Sequence, residues 1–261
     1  MPLLQDPRLR SIRWKDLTRL TTRQRIIENS ITIPWLLISC GLAFFHYYLL
    51  ALPFSFVFFL TGLRQVHNGF HYTLGVSRTL TEATLFVNSL LMMTAMHAVR
   101  YNHLRHHKYC LQEQDVEGNC AKMTALQALL YGPAFIYRLH ASALRSPKAA
   151  TRKAVRRELI AIVLYAALVF SLHIRFLEYH IIVMCTGELF TAFFAVWTVH
   201  HDCDGEVFAR SVSPRWKNWL TFNMFYHLEH HLFPGVPTIR LPELSKRIRE
   251  NLPDLKIKDV F

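Results

Sequence analysis

Residues 31–63 read ITIPWLLISCGLAFFHYYLLALPFSFVFFLTGL, without one Asp, Glu, Lys or Arg. The hydrocarbon core of a bilayer is about 30 Å thick and takes about 20 helical residues, so this run is too long for one untilted crossing. Pro53, after Leu49-Leu50-Ala51-Leu52, offers a turn. The run therefore predicts a helical hairpin with spans at 31–50 and 53–66. The pattern returns further on. Glu158 to Ser171 and Phe176 to Val199 are apolar and separated by His173, Arg175 and Glu178, which predicts a second hairpin with spans at 158–172 and 176–199.

Between the hairpins, Leu80 to Met96 is interrupted by Glu82 and Asn88 and predicts a partly buried or interfacial helix. Residues 123–139 have amphipathic spacing, which suits a helix on the membrane surface or one packed on the domain. Arg138 to Arg157 forms a strongly basic linker, and the part after Asp202 is polar with proline turns, ending in a helix from Pro242 to Asn251. The N-terminal segment from Pro2 to Glu28 is basic and shows no signal-peptide cleavage site.

Composition agrees with this layout. Of 261 residues, 52% are hydrophobic, yet the formal charge is +12, with 30 Lys and Arg against 18 Asp and Glu. Apolar residues gather in blocks and basic ones between them, which excludes a disordered chain, a collagen-like repeat and a disulfide mini-protein. The five cysteines contain no C-x-x-C pair, which argues against a disulfide framework or a zinc ribbon. Placing the basic N-terminus and basic linker on the cytoplasmic side satisfies the positive-inside rule with four spans. The same topology puts every major histidine cluster on that face. The expected fold is thus an all-α integral membrane protein, a single domain over 1–261, with four transmembrane helices in two hairpins under a cytoplasmic histidine-rich cap. Topology explains the basic charge, so no nucleic-acid partner is expected.

Histidine is the outlier, with 15 copies. His67 and His71 (67–71) are spaced i, i+4; His103, His106 and His107 (103–107) and His227, His230 and His231 (227–231) each form H-x-x-H-H. Residues at i, i+3 and i+4 share a helix face, so each box presents its imidazoles toward one point. Chance at this histidine frequency yields roughly 0.05 copies of H-x-x-H-H, and here there are two. Imidazole suits iron, zinc, copper and nickel alike. Eight box histidines exceed what one four-coordinate ion needs and suggest two metals close together. No cysteine accompanies the boxes in spacing.

The order of the three boxes, with the spans between them, resembles the integral-membrane fatty-acid desaturase and hydroxylase family over about Pro34 to Pro237. The segment Asn223-Met-Phe-Tyr-His227-Leu-Glu-His230-His231-Leu-Phe-Pro234-Gly-Val-Pro237 is similar to that family's last box, and Arg105-His106-His107 followed by Asp115-Val-Glu117 resembles the stretch after its second. By that resemblance the box histidines ligate a non-haem di-iron centre, two Fe(2+) per chain, on the cytoplasmic face. One further ligand follows the last span, where His200 and His201 both stand. The family's water-linked Asn four residues earlier has no counterpart, since Val196 or Trp197 holds that place.

The resemblance implies an oxygen-dependent acyl-chain desaturase in a bacterial inner membrane or endoplasmic reticulum. Its substrate would be a fatty-acyl chain on CoA, carrier protein or lipid. Its electrons would come from a separate ferredoxin or small haem protein. The nearest rival is a hydroxylase or oxygenase of an acyl, alkyl or isoprenoid chain on the same scaffold. A more remote one is a non-catalytic metal-binding or metal-transport membrane protein, which would place ionisable ligands near mid-bilayer.

Neutral imidazoles leave charge on the metals for nearby carboxylates to balance, and Asp202, Asp204, Glu206 and Glu229 are the candidates. His46, His140, His173 and His180 lack box spacing and are read as packing or interfacial residues, and His97, six residues before His103, faces elsewhere on a helix and is left out of the ligand set. Glu188 is costly in lipid and is expected to face the protein interior. Phe190, Phe193, Phe194 and Trp197 are expected to pack on neighbouring helices or to wall an acyl tunnel.

Overall fold

In the computed structural model, which describes residues 3–204, 206–212 and 214–260, the first hairpin begins with a capping box: Thr21 Oγ1 accepts from Gln24 N, and the Gln24 side chain accepts from Thr21 N. Helix α1 (Thr22–Ser30) bends at Ile31–Thr32 and continues as α2 (Ile33–Phe44), with Pro34 in its first turn. Thr22–Phe44 is one continuous candidate span of 23 residues. Helix α3 (Tyr48–Phe70), also 23 residues, packs back on α2, with Ser39 Oγ 2.7 Å from Ser55 Oγ. At 1.5 Å per residue it is about 35 Å long, enough to cross.

The hairpin turn departs from expectation. It falls at Phe45–Tyr47, where His46 adopts φ 65°, and Pro53 lies inside α3. Near the start of a helix proline gives up one backbone bond, a loss that helices at membrane depth tolerate.

Ser77 caps helix α4 (Arg78–Leu91) through Leu80 N, and a turn leads to α5 (Met96–Tyr109). The amphipathic stretch forms α6 (Ala125–Leu130) and α7 (Gly132–Leu144). The basic linker is itself helical: α7 carries its first part and α8 (Ala149–Ser171) begins within it. The apolar part of α8, Leu159 to Ser171, spans about 20 Å, because Arg152, Lys153, Arg156, Arg157 and Glu158 occupy the preceding turns.

The last expected span is broken. After α9 (Arg175–Glu188) the axis turns by 46°, and the chain resumes as a π-helical segment, Ala192–Trp197, and α10 (Thr198–His200). Gly132 seats the start of α7 against this break. A Cβ there would lie 1.6 Å from the Leu189 carbonyl oxygen. Among the described residues, two helices are long and apolar enough to cross a membrane, or three if the bent pair counts as one. Leu37, Leu49, Ile160, Val163 and Leu164 are each more than half exposed, an apolar belt suited to lipid tails.

The polar remainder caps one end. Helix α11 (Arg215–Leu220) precedes α12 (His227–Leu232) and α13 (Leu241–Asn251), the last close to the expected Pro242–Asn251. Leu241, Leu244 and Ile248 of α13 pack with Ile12, Leu17 and Phe233. A buried ion pair locks this cap to the spans. Arg64 of α3 bonds Glu28 of α1 and donates to Phe222 O at 2.7 Å, and Glu28 also accepts from Asn68 Nδ2 at 2.9 Å and Ile239 N at 3.1 Å. Asn68, next to His67, accepts in turn from Thr238 N and Oγ1. The end of α3 is thereby held against the segment after α12.

Candidate metal centre

Four stretches converge beneath the cap. The last turn of α3 brings His67 and His71, α5 brings His103, His106 and His107, α10 brings His200, and α12 brings His227, His230 and His231. Helix α12 is six residues long and needs outside support, which it receives from Leu228 N donating to Arg210 O at 3.1 Å. Left-handed Phe222 and Asn223 (φ 54° and 61°) turn the chain into it.

The imidazoles form two groups. In the first, His103 Nε2 lies 3.0 Å from His71 Nε2 and 3.1 Å from His107 Nε2, and His107 Nε2 lies 2.9 Å from His230 Nε2. The His67 ring sits 4.1 Å from the His230 ring. In the second, His106 Nε2 lies 2.9 Å from His200 Nε2 and 3.2 Å from His231 Nε2, and His227 Nε2 is 2.9 Å from His200 and 3.1 Å from His231. His107 and His231, with ring centroids 4.3 Å apart, put the groups side by side.

Outer contacts orient the rings. Asp115 Oδ2 lies 2.7 Å from His106 Nδ1, Glu117 Oε1 2.9 Å from His103 Nδ1, and the Phe208 carbonyl 2.8 Å from His200 Nδ1. An acceptor at Nδ1 holds the ring proton there and leaves Nε2 with a bare lone pair. Asp115, 1% exposed, also accepts from Leu111 N at 2.9 Å and Gly118 N at 2.8 Å. Gly118 permits this: a Cβ there would lie 2.2 Å from Asp115 Oδ2.

Burial, followed by the charge of neighbouring groups, pushes His71, His107, His227, His230 and His231 well below the ordinary histidine pKa. Burial acts the same way on His106, but its bond to Asp115 outweighs it and leaves this pKa raised. With Nδ1 of His103, His106 and His200 each facing an acceptor, the Nε2 atoms of these rings crowd together with those of their neighbours, an arrangement suited to holding a cation. His67 Nε2 is buried without a hydrogen-bond partner among the described residues, a further donor for one. The ligand atoms of His67, His71, His103 and His230 lie within 4.8 Å of one another, as do those of His106, Cys110, His200 and His231. Nitrogens about 2.1 Å from one ion would sit some 3–4 Å apart, so the donor set fits transition-metal ions.

Several expectations need correction. Cysteine does accompany the boxes: Cys110, buried and four residues after His106, places Sγ 4.0 Å from His106 Nε2 and donates to Phe208 O at 3.8 Å. The carboxylates that touch the clustered imidazoles are Asp115 and Glu117, not the four proposed from sequence. Asp202 pairs with Arg210 on the surface, Asp204 accepts from Glu206 N and Val207 N, and Glu206 is exposed. Glu229 is buried but points away from the rings, accepting from Ser211 and Ser245. His201 leaves the cluster, stacking on Trp197 at 4.1 Å, with Phe193 on the other side of Trp197. Val196, four residues before His200, is buried and offers no ligand.

The other histidines keep away from the groups. His140 Nε2 accepts from Ala95 N and His180 Nε2 donates to Leu91 O, while His46 and His173 lie on the surface. His97 bridges Glu82 at 2.7 Å and Glu158 at 2.6 Å. A mostly apolar cavity opens from the imidazoles. His67, His103, His227 and His230 form part of its wall, and Leu63, Phe70, Phe135 and Leu139 line it with Phe194 and Glu188.

The fatty acid desaturase family model matches residues 41–259, and the chain belongs to that family. A sphingolipid delta(4)-desaturase of Drosophila melanogaster is 58% identical over 33 residues, 13% of this chain and 10% of that protein. A sphingolipid delta(4)-desaturase/C4-monooxygenase of Bos taurus is 55% identical over 29 residues, 11% of this chain and 9% of that protein, and its Homo sapiens counterpart matches to the same extent. The chain thus matches about a tenth of the length of these curated relatives.

Proposed function

We propose that the protein is a multi-pass membrane oxidoreductase that desaturates an acyl chain. A CH2–CH2 pair, dioxygen, two electrons and two protons become CH=CH and two waters. The observation that carries this reading is the convergence of nine imidazoles in two groups, four of which (His67, His103, His227 and His230) line one apolar cavity.

His67, His71, His103, His107 and His230 would hold one ferrous iron, and His106, His200, His227 and His231 a second. Together the irons would supply the oxidant that an unactivated C–H bond requires. The chain's own residues prepare the site for it. Asp115 and Glu117 keep protons on Nδ1 so that Nε2 stays free to ligate. Burial favours the neutral form of His71, His107, His227, His230 and His231 and keeps water out. The cavity wall holds the acyl chain against the histidines, and placement of this kind decides which carbon reacts.

Four spans, a cytoplasmic face for the site and one domain over the chain complete the reading, with α8 crossing by its apolar part and tilt or local thinning making up the length. The electron donor would be a separate ferredoxin or small haem protein, drawn by the basic face. Insertion of a hydroxyl is the second reading, because the bovine relative's name pairs desaturase with C4-monooxygenase. A metal transporter fits less well, since the imidazoles gather at the end of α3 beneath the polar cap.

The test is expression in a host without such activity, with lipids read by mass spectrometry against a His231→Ala control. An oxygen-dependent product lighter by two hydrogens supports desaturation. One heavier by an oxygen atom, with no unsaturated product, moves the assignment to hydroxylation. An unchanged lipid profile with wild-type iron-loaded protein would refute both.

A further inference from the structure

Glu188 ends α9 at the break and is 5% exposed. Thr191 Oγ1 donates to its Oε2 at 3.1 Å, but Oε1 is buried without a hydrogen-bond partner among the described residues. The side chain lines the cavity whose wall includes His67, His103 and His230. Of the other polar groups on that lining, His67 Nε2 and Glu117 Oε2 also lack a partner among the described residues but belong to the metal site proposed above, while His140 accepts from Ala95 N and Thr238 donates to Asn68. A carboxyl oxygen held against an apolar cavity without a partner is costly unless whatever enters brings one. A plain hydrocarbon chain cannot.

We infer that Glu188 receives a hydroxyl borne by the substrate, so that the chain oxidised here belongs to a hydroxylated lipid. A hydroxyl both donates and accepts, and so satisfies Oε1 whether the carboxyl is ionised or protonated. The contact would also set register, because a chain pinned at Glu188 presents a fixed carbon to the histidine groups. The inference rests on the proposed acyl-chain oxidation and narrows its substrate class.

The test uses saturated lipids identical except for one hydroxyl, moved carbon by carbon away from the headgroup. Each competes with a radiolabelled unsubstituted chain for the purified full-length protein in detergent. One hydroxyl position should raise affinity about tenfold, the worth of one ordinary buried hydrogen bond. Glu188→Leu should abolish that gain. Glu188→Gln, whose amide also donates and accepts, should keep most of it. Affinity that stays flat across the series in the wild type would overturn the inference even if the leucine variant fails to fold, as would a gain that survives in Glu188→Leu. Oxidation of the unsubstituted chain together with flat binding would sink this inference and leave the reaction standing. A tenfold binding gain with no oxidation of any lipid would support the hydroxyl contact and sink the reaction.

Discussion

Asp115→Asn isolates the work of one carboxylate in the second imidazole group. Oδ2 faces His106 Nδ1 at 2.7 Å and Leu111 N at 2.9 Å, while Oδ1 faces Gly118 N at 2.8 Å. All three neighbours are met by lone pairs of the buried carboxylate, and an amide replaces one of its oxygens with a donor. With the NH2 at the Oδ2 position it confronts Leu111 N–H and forces His106 Nδ1 to accept, moving the ring proton to Nε2 where the metal should bind. With the NH2 at the Oδ1 position it confronts Gly118 N–H. Either way one buried N–H goes unmet, at about 1–3 kcal/mol of stability. Loss of such an outer partner costs about 10–100-fold in metal affinity, or about 1.4–2.8 kcal/mol. Iron per chain is measured by elemental analysis as a chelator is titrated into protein loaded anaerobically. The variant should drop from about two irons to about one, on the two-site reading, at chelator levels that leave wild type loaded. Glu117→Gln, which loosens His103, should weaken the other site. Wild-type iron retention in a folded Asp115→Asn protein, or simultaneous loss of both irons, would refute the reasoning.

Three further outcomes follow from the geometry. His200→Ala should lose iron and activity, whereas His201→Ala removes only a ring stacked on Trp197 and should keep both; elemental analysis beside a lipid assay separates them. Arg64→Ala strands the buried Glu28 carboxylate, which should cost about 3–5 kcal/mol, seen as a large fall in the thermal unfolding midpoint in detergent; an unchanged midpoint counts against the lock between α1, α3 and the cap. Because His71, His107, His227, His230 and His231 have folded pKa values depressed below the unfolded value of about 6.5, their contribution to stability is present above that pH and lost as pH falls below it. Metal-free protein melted at a series of pH values should therefore lose stability on the acid side, and a midpoint that rises on acidification would be the wrong sign.

Short-range pattern made much of this molecule readable in advance. Box spacing of i, i+3 and i+4 places ligands on one helix face whatever the rest of the chain does, and the uncharged run at 31–63 reads as a hairpin from length alone. Cys110 was equally visible, one turn after His106, but a search for paired cysteines passes over it. What spacing does not carry is contact between distant parts. Nothing near Leu189 announces a bend, because its partner is Gly132, 57 positions earlier. The acids chosen by nearness in sequence to His200 and His227 turn outward or toward serines, while Asp115 and Glu117 reach the rings because the chain folds back after α5. Pro53 misleads for a different reason: in a helix surrounded by apolar neighbours, one missing backbone donor is a small loss beside the burial the helix gains.

The four sources of imidazole also impose a timetable on the newborn chain. His67 and His103 leave the ribosome long before His227 and His231, with about 120 residues of chain between the second box and the third. At about 5–20 residues per second that interval is on the order of ten seconds. Throughout it the early boxes lack the four imidazoles of α10 and α12, and any ion they met would be offered an incomplete shell. The imidazole set is complete only once α12 is seated by Arg210 and Asn68 has found Thr238. On the two-iron reading proposed above, loading with metal is then an event in the life of the finished chain.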